Sequence, residues 1–137
     1  MQQHMPDLWF RLMAFEYRFK PSASAVLDRL KEAGIRPGTE VLDYGCGPGR
    51  YTIPAAKLTG SSGTVHAVDA HPMTIAMVER SAAKAGLTNI RAVNSDCATG
   101  LPPDSIDVML LYDTLHDVAD QQAVLTELHR VLKPGGN

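Results

Sequence analysis

From residue 40 onward, short apolar runs alternate with longer amphipathic stretches, and this alternation limits the fold more than any other feature. The runs are predicted strands because β-branched and other apolar residues dominate them; they lie at 40–44, 64–70, 90–96 and 106–112. The stretches after the first, second and fourth runs place apolar residues at helical spacing. Parallel strands need long crossover connections, which helices of this length provide. The chain is therefore predicted to form an α/β, doubly wound parallel sheet.

The first 35 residues are predicted to be helical and to precede the sheet. Residues 6–19 carry apolar side chains at helical spacing, including most of the aromatic residues of the chain. A second helix is predicted to begin at Ser22 and to end near Gly34. Ordinary packing is the simpler interpretation of the first helix. The alternative is a lid over a ligand site, formed by three aromatic side chains: Phe15, Tyr17 and Phe19.

Composition argues against several classes of function. The formal net charge of −2 gives no general attraction to nucleic acid or to an anionic membrane. No apolar run approaches the roughly 20 residues that cross a bilayer, and the N-terminus lacks the plan of a secretory signal. Cys46 and Cys97 form no CxxC pair, which favours free thiols in a reducing compartment. We therefore expect a cytoplasmic protein without a bound metal.

The stretch "VLDYGCGPGR" (41–50) joins the first strand to the next helix through three alternate glycines: Gly45, Gly47 and Gly49. Glycine permits positive φ and lets a ligand lie against bare backbone. The dinucleotide pattern GxGxxG would need its third glycine at position 50, which is Arg50 here. Asp43, two residues before the first glycine, is also foreign to a dinucleotide turn. A purely structural turn stays open as an alternative.

Each of the first three strands carries an acidic residue at its end. Ligands of doubly wound sheets bind at the carboxyl ends of the strands. Asp69 ends the second strand, where a carboxylate can accept both hydroxyls of a ribose, and Asp96 ends the third, where it can accept the amine of an adenine. Together with Asp43, they predict a site for an adenosine without phosphate, favouring a cationic ligand. Taken singly, each acid is equally well explained as a helix N-cap.

In the order and spacing of these motifs, residues 36–137 resemble the class I S-adenosylmethionine-dependent methyltransferases, with the small-molecule, ubiquinone-biosynthesis-like branch closest. The matching segments are "VLDYGCGPGRYT", "VHAVDAHP", "NIRAVNSDCATGLP", "IDVMLLYDTLHDV" and "LHRVLKPGG". The resemblance implies a Rossmann-like sheet of order 3-2-1-4, lacking the usual strands 5–7 and preceded by one or two helices. We expect one domain, in which an N-terminal helical segment, 1–35, packs with a Rossmann-like cofactor-binding part, 36–137, that lacks the C-terminal strands of the family.

The resemblance also implies S-adenosylmethionine as cofactor, S-adenosylhomocysteine as product and a set of cofactor-binding residues. These are Asp43, Tyr44, Gly45, Cys46, Gly47, Gly49, Asp69, Ala70, His71, Asp96, Cys97, Tyr112 and Asp113. Within the set, Asp43, Gly45 and Gly47 would contact the methionine part. Asp69 would hold the ribose hydroxyls, with Ala70 and His71 against the adenine. Asp96 would bind the adenine amine and the Cys97 amide a ring nitrogen. Tyr112 and Asp113 would close the site near the methyl group.

Methyl transfer from a sulfonium needs alignment more than acid–base machinery, because the methyl group is already activated. His116, just beyond the fourth strand, is the predicted base for an acceptor that must lose a proton, and a capping role is its alternative. A thiol-using arsenic methyltransferase would need Cys46 and Cys97, whose positions favour small, half-buried residues instead. "LPPDS" (101–105) precedes the fourth strand, unlike the similar motif of amino-group nucleic-acid methyltransferases.

The resemblance stops at Asn137, before the family's fifth strand. An open edge at the fourth strand favours pairing with another chain, so we expect either a fragment of a longer protein or a homodimer covering that edge. The predicted function is methyl transfer to a small-molecule acceptor, with no nucleic-acid or membrane partner. Two alternatives stay open: an inactive cofactor-binding module that acts through a partner, and, less favoured, an NAD-dependent oxidoreductase.

Overall fold

The computed structural model describes residues 22–111 and 120–137, and these form one sheet with helices on both faces. In chain order the elements are α1 (Ala23–Glu32), β1 (Val41–Tyr44), α2 (Thr52–Thr59), β2 (Val65–Asp69), α3 (Pro72–Lys84), β3 (Ile90–Asn94), β4 (Val108–Leu110) and α4 (Gln121–Val131). A 3₁₀ turn, Gly60–Ser62, follows α2. The predicted helix at 6–19, with its proposed lid, lies outside the described residues.

The four strands are all parallel and run in the order β3-β2-β1-β4. β1 is central, and every one of its residues is buried, which fits a strand covered on both faces. The order reverses at β1, because the chain moves outward to β3 on one side and then returns to β4 on the other. The predicted α/β fold and strand order are confirmed, and the switch point lies beside the end of β1.

The helix ends follow the predicted local chemistry. Ser22 caps α1, its hydroxyl accepting a hydrogen bond from the Ala25 N–H at 3.2 Å. At the other end, the Gly34 N–H donates to the Lys31 carbonyl and the Ile35 N–H to the Leu30 carbonyl, the Schellman pattern around a glycine with positive φ. Helix α1 therefore stops where Gly34 permits the left-handed turn.

Two apolar layers hold the helices on the sheet. One is formed by α1 and α2 against the sheet and contains Val26, Leu30, Val41, Ala55, Ala56, Val65, Val108 and Leu110. The other is formed largely by α4 and contains Leu42, Tyr44, Val68, Ile106, Val124, Leu128 and Val131. A smaller cluster packs α3 on the glycine turn and contains Cys46, Ala67, Ile75 and Val78. The packing fixes the strand ends, and with them the connections that follow.

β4 is shorter than its apolar run predicts, because its entry has other partners. Ile106 forms an isolated parallel bridge with Leu132 instead of extending β4 along β1. The Asp107 carboxylate accepts the Glu40 N–H at 2.8 Å, and the Asp107 N–H donates to the Glu40 carbonyl at 2.9 Å. The ladder with β1 therefore begins only at Val108.

The outer edge of β4 is already paired over part of its length. The Asn137 N–H donates to the Asp107 carbonyl at 2.9 Å, and the Met109 N–H donates to the Asn137 carbonyl at 2.7 Å. The edge that we expected to be open is thus occupied by Asn137 between Asp107 and Met109. Any further strand at this edge must pair beside Asn137 or beyond it.

The longest described helix, α3, has 13 residues, and no helix within 22–111 and 120–137 is long and apolar enough to cross a membrane.

Candidate functional site

The glycine turn between β1 and α2 is built on positive φ angles. Gly45, Gly47 and Gly49 have φ values of 70°, 56° and 92°. The turn is tied to β2, because the N–H groups of Gly45 and Cys46 both donate to the Val68 carbonyl, at 2.7 and 3.2 Å. The backbone of the turn is therefore fixed by the neighbouring strand.

The second and third glycines have different tasks. A Cβ at Gly49 would lie 3.3 Å from Cγ2 of Val78, so this glycine lets α3 pack on the turn. A Cβ at Gly47 would meet nothing within 4 Å, so this glycine faces open space. Gly47 is thus the position at which a ligand can lie directly on backbone.

Asp43 is a buried carboxylate, only 3% exposed, directly before the turn. Burial raises its pKa to about 6, a hydrogen bond from the Thr52 hydroxyl opposes the rise, and the Asp69 carboxylate adds to it. The Thr52 Oγ1–Asp43 Oδ2 distance is 2.7 Å. A cation placed beside Asp43 would offset the cost of ionising it, because opposite charges attract strongly where water is excluded.

Asp69 connects the glycine turn to the start of α3. Its Oδ2 accepts the Gly47 N–H at 3.2 Å, and its Oδ1 accepts the His71 N–H at 2.8 Å. A carboxylate oxygen can accept two hydrogen bonds, so each oxygen keeps capacity for one more donor. The group is therefore held rigidly and can still accept two neighbouring hydroxyls.

His71 caps α3, and its neighbour Ala70 lies half-buried in the same connection. The Nδ1 atom of His71 accepts the Met73 N–H at 3.2 Å, and Pro72 occupies the first helical position. Because Nδ1 accepts this hydrogen bond, Nε2 is the ring nitrogen left to donate. The cap holds the imidazole at the start of α3, next to Asp69.

The connection after β3 carries the third acid. Asp96 is exposed, and its backbone carbonyl accepts the Tyr44 hydroxyl at 2.7 Å. The Cys97 N–H donates to the Ser95 hydroxyl at 3.2 Å. Burial first, then Cys97 and the carboxylates of Asp96 and Asp69, raise the pKa of Tyr44 to about 12. Tyr44 is therefore a neutral donor at any physiological pH, bonded to protein backbone.

Both cysteine thiols are protonated at neutral pH. Burial, followed by the nearby carboxylates of Asp43 and Asp69, raises the pKa of Cys46 far above its usual range. Burial and the charges of Glu127, Asp96 and Asp120 also raise the pKa of Cys97. Neither thiol has the lowered pKa of a reactive cysteine.

The structure thus brings the first three strand ends together at one edge of the sheet. Asp43 and Asp69 interact electrostatically, Asp69 bonds to Gly47, and Tyr44 bonds to the Asp96 backbone. Tyr112, Asp113 and His116 lie outside the described residues. Within the described ranges, no three His, Cys, Asp or Glu side chains are grouped as metal ligands would be.

Two residues of this edge were missed by the sequence analysis: Thr52 and Ser95. Thr52 donates to Asp43 from the first residue of α2. Ser95 accepts the Cys97 N–H, the amide that the resemblance assigns to an adenine nitrogen. A hydroxyl at a helix start and a serine beside an aspartate are common enough that only the fold gives them meaning.

A cavity of about 620 Å³ opens at the opposite, amino edge of the sheet, between the α1–β1 connection and the C-terminal residues. Its wall carries both signs of charge, from Glu32, Arg36, Asp107 and Lys133. Lys133 is paired with Asp107 at 2.8 Å.

Comparison with known proteins identifies relatives for most of the chain. Residues 35–137 match a family model described as a methyltransferase domain. A demethylmenaquinone methyltransferase from Staphylococcus aureus is 37% identical over 110 residues, which cover 78% of this chain and 44% of that protein. The chain therefore spans less than half of the length of the curated relatives it matches.

Two solved structures share the fold. A SAM-dependent methyltransferase from Aquifex aeolicus superposes with a TM-score of 0.76 at 29% identity, covering 86% of this chain and 65% of that one. An arsenic (III) S-adenosylmethionine methyltransferase from Chlamydomonas reinhardtii gives a TM-score of 0.70 at 30% identity, covering 85% and 46%.

Proposed function

The chain belongs to the class I S-adenosylmethionine-dependent methyltransferases, and we propose that it binds S-adenosylmethionine and transfers the methyl group to a small molecule. One observation carries the proposal: Asp43, Asp69 and the glycine turn converge beside the switch point of the sheet. The catalytic activity and the acceptor are part of this proposal, because the chain matches less than half of the length of its curated relatives.

The residues at this edge fit the cofactor. Gly47 offers bare backbone with open space where a Cβ would stand. The two Asp69 oxygens each keep capacity for one donor, which suits the vicinal hydroxyls of a ribose. The Asp43 carboxylate, buried and only partly compensated by Thr52, suits the ammonium of the methionine part.

We assign the remaining contacts by position. The backbone of the glycine turn, from Gly45 to Gly49, lies along the methionine part. Ala70 and His71 lie against one face of the adenine. The Asp96 carboxylate accepts the adenine amine, and the Cys97 N–H donates to a ring nitrogen. The carboxylate acceptor and the N–H donor match the amine and the ring nitrogen of adenine. Hypoxanthine presents a carbonyl and a ring N–H at these positions, so both of its groups would be mismatched.

When bound, S-adenosylmethionine supplies a methyl group on a positively charged sulfur, which leaves as a neutral thioether when the acceptor takes the methyl. The protein's part is to fix both ends of the cofactor and to present the methyl group in line with the acceptor. Asp43 and Asp69 do this by holding the methionine and ribose parts at the ends of β1 and β2. The negative charges also favour the cationic cofactor over its neutral product.

Among small-molecule acceptors, a quinone-type ring is the first class to test. The support is the name of the Staphylococcus aureus relative, a demethylmenaquinone methyltransferase. His116 stays the predicted base for an acceptor that must lose a proton. The division into a helical segment, 1–35, and a cofactor-binding part, 36–137, also stays a prediction, as does the lid.

Arsenic chemistry is disfavoured despite the likeness to the Chlamydomonas reinhardtii enzyme. Trivalent arsenic is captured by thiolates, and the pKa values of both Cys46 and Cys97 are raised. An NAD-dependent reaction is disfavoured because the pyrophosphate of that cofactor would lie on the glycine turn, where Arg50 replaces the third glycine of the dinucleotide pattern and the Asp43 carboxylate directly precedes the turn.

We further expect no nucleic-acid partner, because the formal net charge of −2 gives no electrostatic attraction to phosphate backbones. A homodimer would need to pair strands at the β4 edge beyond Asn137, since Asn137 already bonds to Asp107 and Met109 there. Light scattering over a concentration series tests this association. A monomer at every concentration would contradict the dimer.

The activity is tested with methyl-labelled S-adenosylmethionine and a panel of small acceptors that includes demethylated quinols. We expect transfer of the label to at least one acceptor, and we expect the Asp69→Ala variant to lose this transfer. Asp28→Ala, which changes an exposed aspartate on α1, is the matched control and should keep the activity. Cofactor binding without transfer to any acceptor would favour the inactive binding module.

A further inference from the structure

Tyr44 reaches from the central strand to the connection after the outermost strand. It is the last residue of β1 and 2% exposed, and its hydroxyl donates to the Asp96 carbonyl at 2.7 Å. β2 lies between β1 and β3 in the sheet, so this hydrogen bond spans a whole strand. Its effect is to tie the end of β3 to the centre of the fold.

The bonded carbonyl belongs to the same peptide unit as the Cys97 N–H. A peptide unit is planar and almost always trans, so its C=O and N–H point in opposite directions. Holding the Asp96 carbonyl therefore sets the direction of the Cys97 N–H. The same bond fixes the backbone that carries the Asp96 side chain.

Ser95 holds the other end of this peptide unit. The Ser95 hydroxyl accepts the Cys97 N–H at 3.2 Å, which is at the long limit for such a bond. A neutral hydroxyl two residues away is a weak local acceptor. A ring nitrogen presented along the N–H direction can replace it without moving the peptide unit.

We infer that Tyr44 is a positioning residue for base recognition: by holding the Asp96–Cys97 peptide unit, it aims the Cys97 N–H and the Asp96 carboxylate at the adenine. This inference rests on the proposed cofactor site. It changes the role of Tyr44, which the resemblance placed among the residues that contact the cofactor. Tyr44 acts through backbone, and its hydroxyl need not touch the ligand.

The test compares two ligands that differ only in the base, S-adenosylhomocysteine and S-inosylhomocysteine, by calorimetric titration. Hypoxanthine carries an N–H and a carbonyl where adenine carries a ring nitrogen and an amine, so both contacts are reversed. Tyr44→Phe keeps the buried ring and removes the hydroxyl. Tyr51→Phe is the matched control, because Tyr51 is also buried and its hydroxyl accepts from Arg29 Nη1 on α1 at 2.8 Å.

We expect Tyr44→Phe to weaken S-adenosylhomocysteine binding about three- to tenfold, the value of one neutral hydrogen bond. Binding of the inosine analogue should hardly change, so the preference for adenine falls by the same factor. Tyr51→Phe should keep the wild-type preference. Equal weakening of both ligands, or an unchanged preference, in Tyr44→Phe would overturn the inference. Failure of the wild-type protein to bind S-adenosylhomocysteine would instead overturn the proposed function.

Ser95→Ala provides a second test, which does not depend on whether the Tyr44→Phe variant folds. Removing the competing hydroxyl leaves the Cys97 N–H aimed but unbonded, so S-adenosylhomocysteine should bind more tightly than to wild type. The affinity for S-inosylhomocysteine should not increase, because its ring N–H cannot accept a hydrogen bond from the Cys97 N–H. If Ser95→Ala binds S-adenosylhomocysteine as tightly as wild type or more weakly, the Asp96–Cys97 peptide unit does not recognise the base.

Discussion

Asp43 is a residue at which stability and the proposed function make opposite demands. Its carboxylate is almost completely buried and receives one described side-chain hydrogen bond, from Thr52. A buried carboxylate is costly to ionise unless a cation or several donors compensate it. At neutral pH, ionisation of Asp43 therefore destabilises the free protein, and a bound cation would remove this destabilisation. Such unfavourable charges are typical of binding sites.

Asp43→Asn should remove this cost, and its effect should depend on pH. The folded-state pKa of about 6 lies above the ordinary 3.8, so the folded protein keeps a proton that the unfolded chain releases in between. The contribution of Asp43 to the free energy of unfolding therefore falls as pH rises from about 4 to 6. Near pH 7 the variant should be more stable than wild type, by at most about 3 kcal/mol.

Urea denaturation at pH 4, 5, 6 and 7 measures this difference. Asp28→Asn, at an exposed position on α1, is the control and should follow the wild-type curve. A variant less stable than wild type at pH 7, with no change in the difference between pH 4 and 7, would contradict the raised pKa of Asp43.

Gly47→Ala separates ligand contact from backbone strain. Gly47 and Gly86 have φ values of 56° and 69°, and a Cβ at either position would meet nothing within 4 Å. Alanine at either should therefore cost about 1 kcal/mol of stability, through the left-handed conformation alone. Only Gly47 lies at the proposed site, so only Gly47→Ala should also weaken S-adenosylhomocysteine binding. Equal affinities of the two variants would place the ligand elsewhere.

The positions of the glycines and of the strand-end acids in the fold were predictable from sequence, whereas their contacts with a cofactor stay a prediction. The glycines and the strand-end acids follow from the turn and from the sheet edge, and the structure brings their backbones together as expected. The partners of these groups were not predictable, because Thr52 and Ser95 act through tertiary geometry. The assignment of Tyr44 to the cofactor-binding residues stays a prediction, and the hydrogen bond from its hydroxyl to the Asp96 backbone was not foreseen.

Among the elements, α4 is joined to the β3–β4 connection by a polar network around Glu127. The Oε2 atom of Glu127 accepts from both the N–H and the hydroxyl of Thr99, each at 3.1 Å. Its Oε1 accepts from Arg130 Nε at 2.6 Å, and Arg130 Nη2 donates to the Leu101 carbonyl at 2.7 Å. The network holds the connection that follows Asp96 and Cys97 against a helix.

Glu127→Gln should destabilise the protein by about 1 kcal/mol at pH 7, because the ion pair and the charged acceptor are lost. The hydrogen bond from Arg130 is the main cause that lowers the pKa of Glu127 to about 2. A lowered pKa stabilises the fold above the ordinary pKa near 4.5, and this stabilisation disappears as pH falls towards 2.

Thermal unfolding between pH 2 and 7 tests the network, with Glu79→Gln, at an exposed position on α3, as control. The gap between wild type and Glu127→Gln should be constant above pH 5 and should close towards pH 2. A gap that stays constant down to pH 2 would show that the charge of Glu127 contributes nothing.

The elements themselves were predicted with small errors at their ends. Strand and helix types follow from periodicity, and the caps at Ser22 and Gly34 were placed by local chemistry. The entry to β4 was wrong because Ile106 and Asp107 have partners that are distant in sequence, Leu132 and Glu40. An apolar run shows which residues can form a strand. The backbone segments that lie beside it determine which of these residues pair with the neighbouring strand.

At the scale of the whole molecule, the sheet order was predictable and the state of its edges was not. The order β3-β2-β1-β4 follows from the resemblance in motif order. The pairing of Asn137 with the β4 edge could not be read from sequence, because a single residue carries no strand pattern. The predicted edge-covering dimer must therefore compete with backbone bonds that the chain already makes.

We propose that the carboxyl edge of the sheet binds S-adenosylmethionine and not a dinucleotide. Calorimetric titration of the protein with S-adenosylhomocysteine and, separately, with NAD tests it most directly. The arrangement of Asp43, Asp69 and the glycine turn predicts single-site binding of S-adenosylhomocysteine and no measurable binding of NAD. Tight binding of NAD with no response to S-adenosylhomocysteine would contradict it.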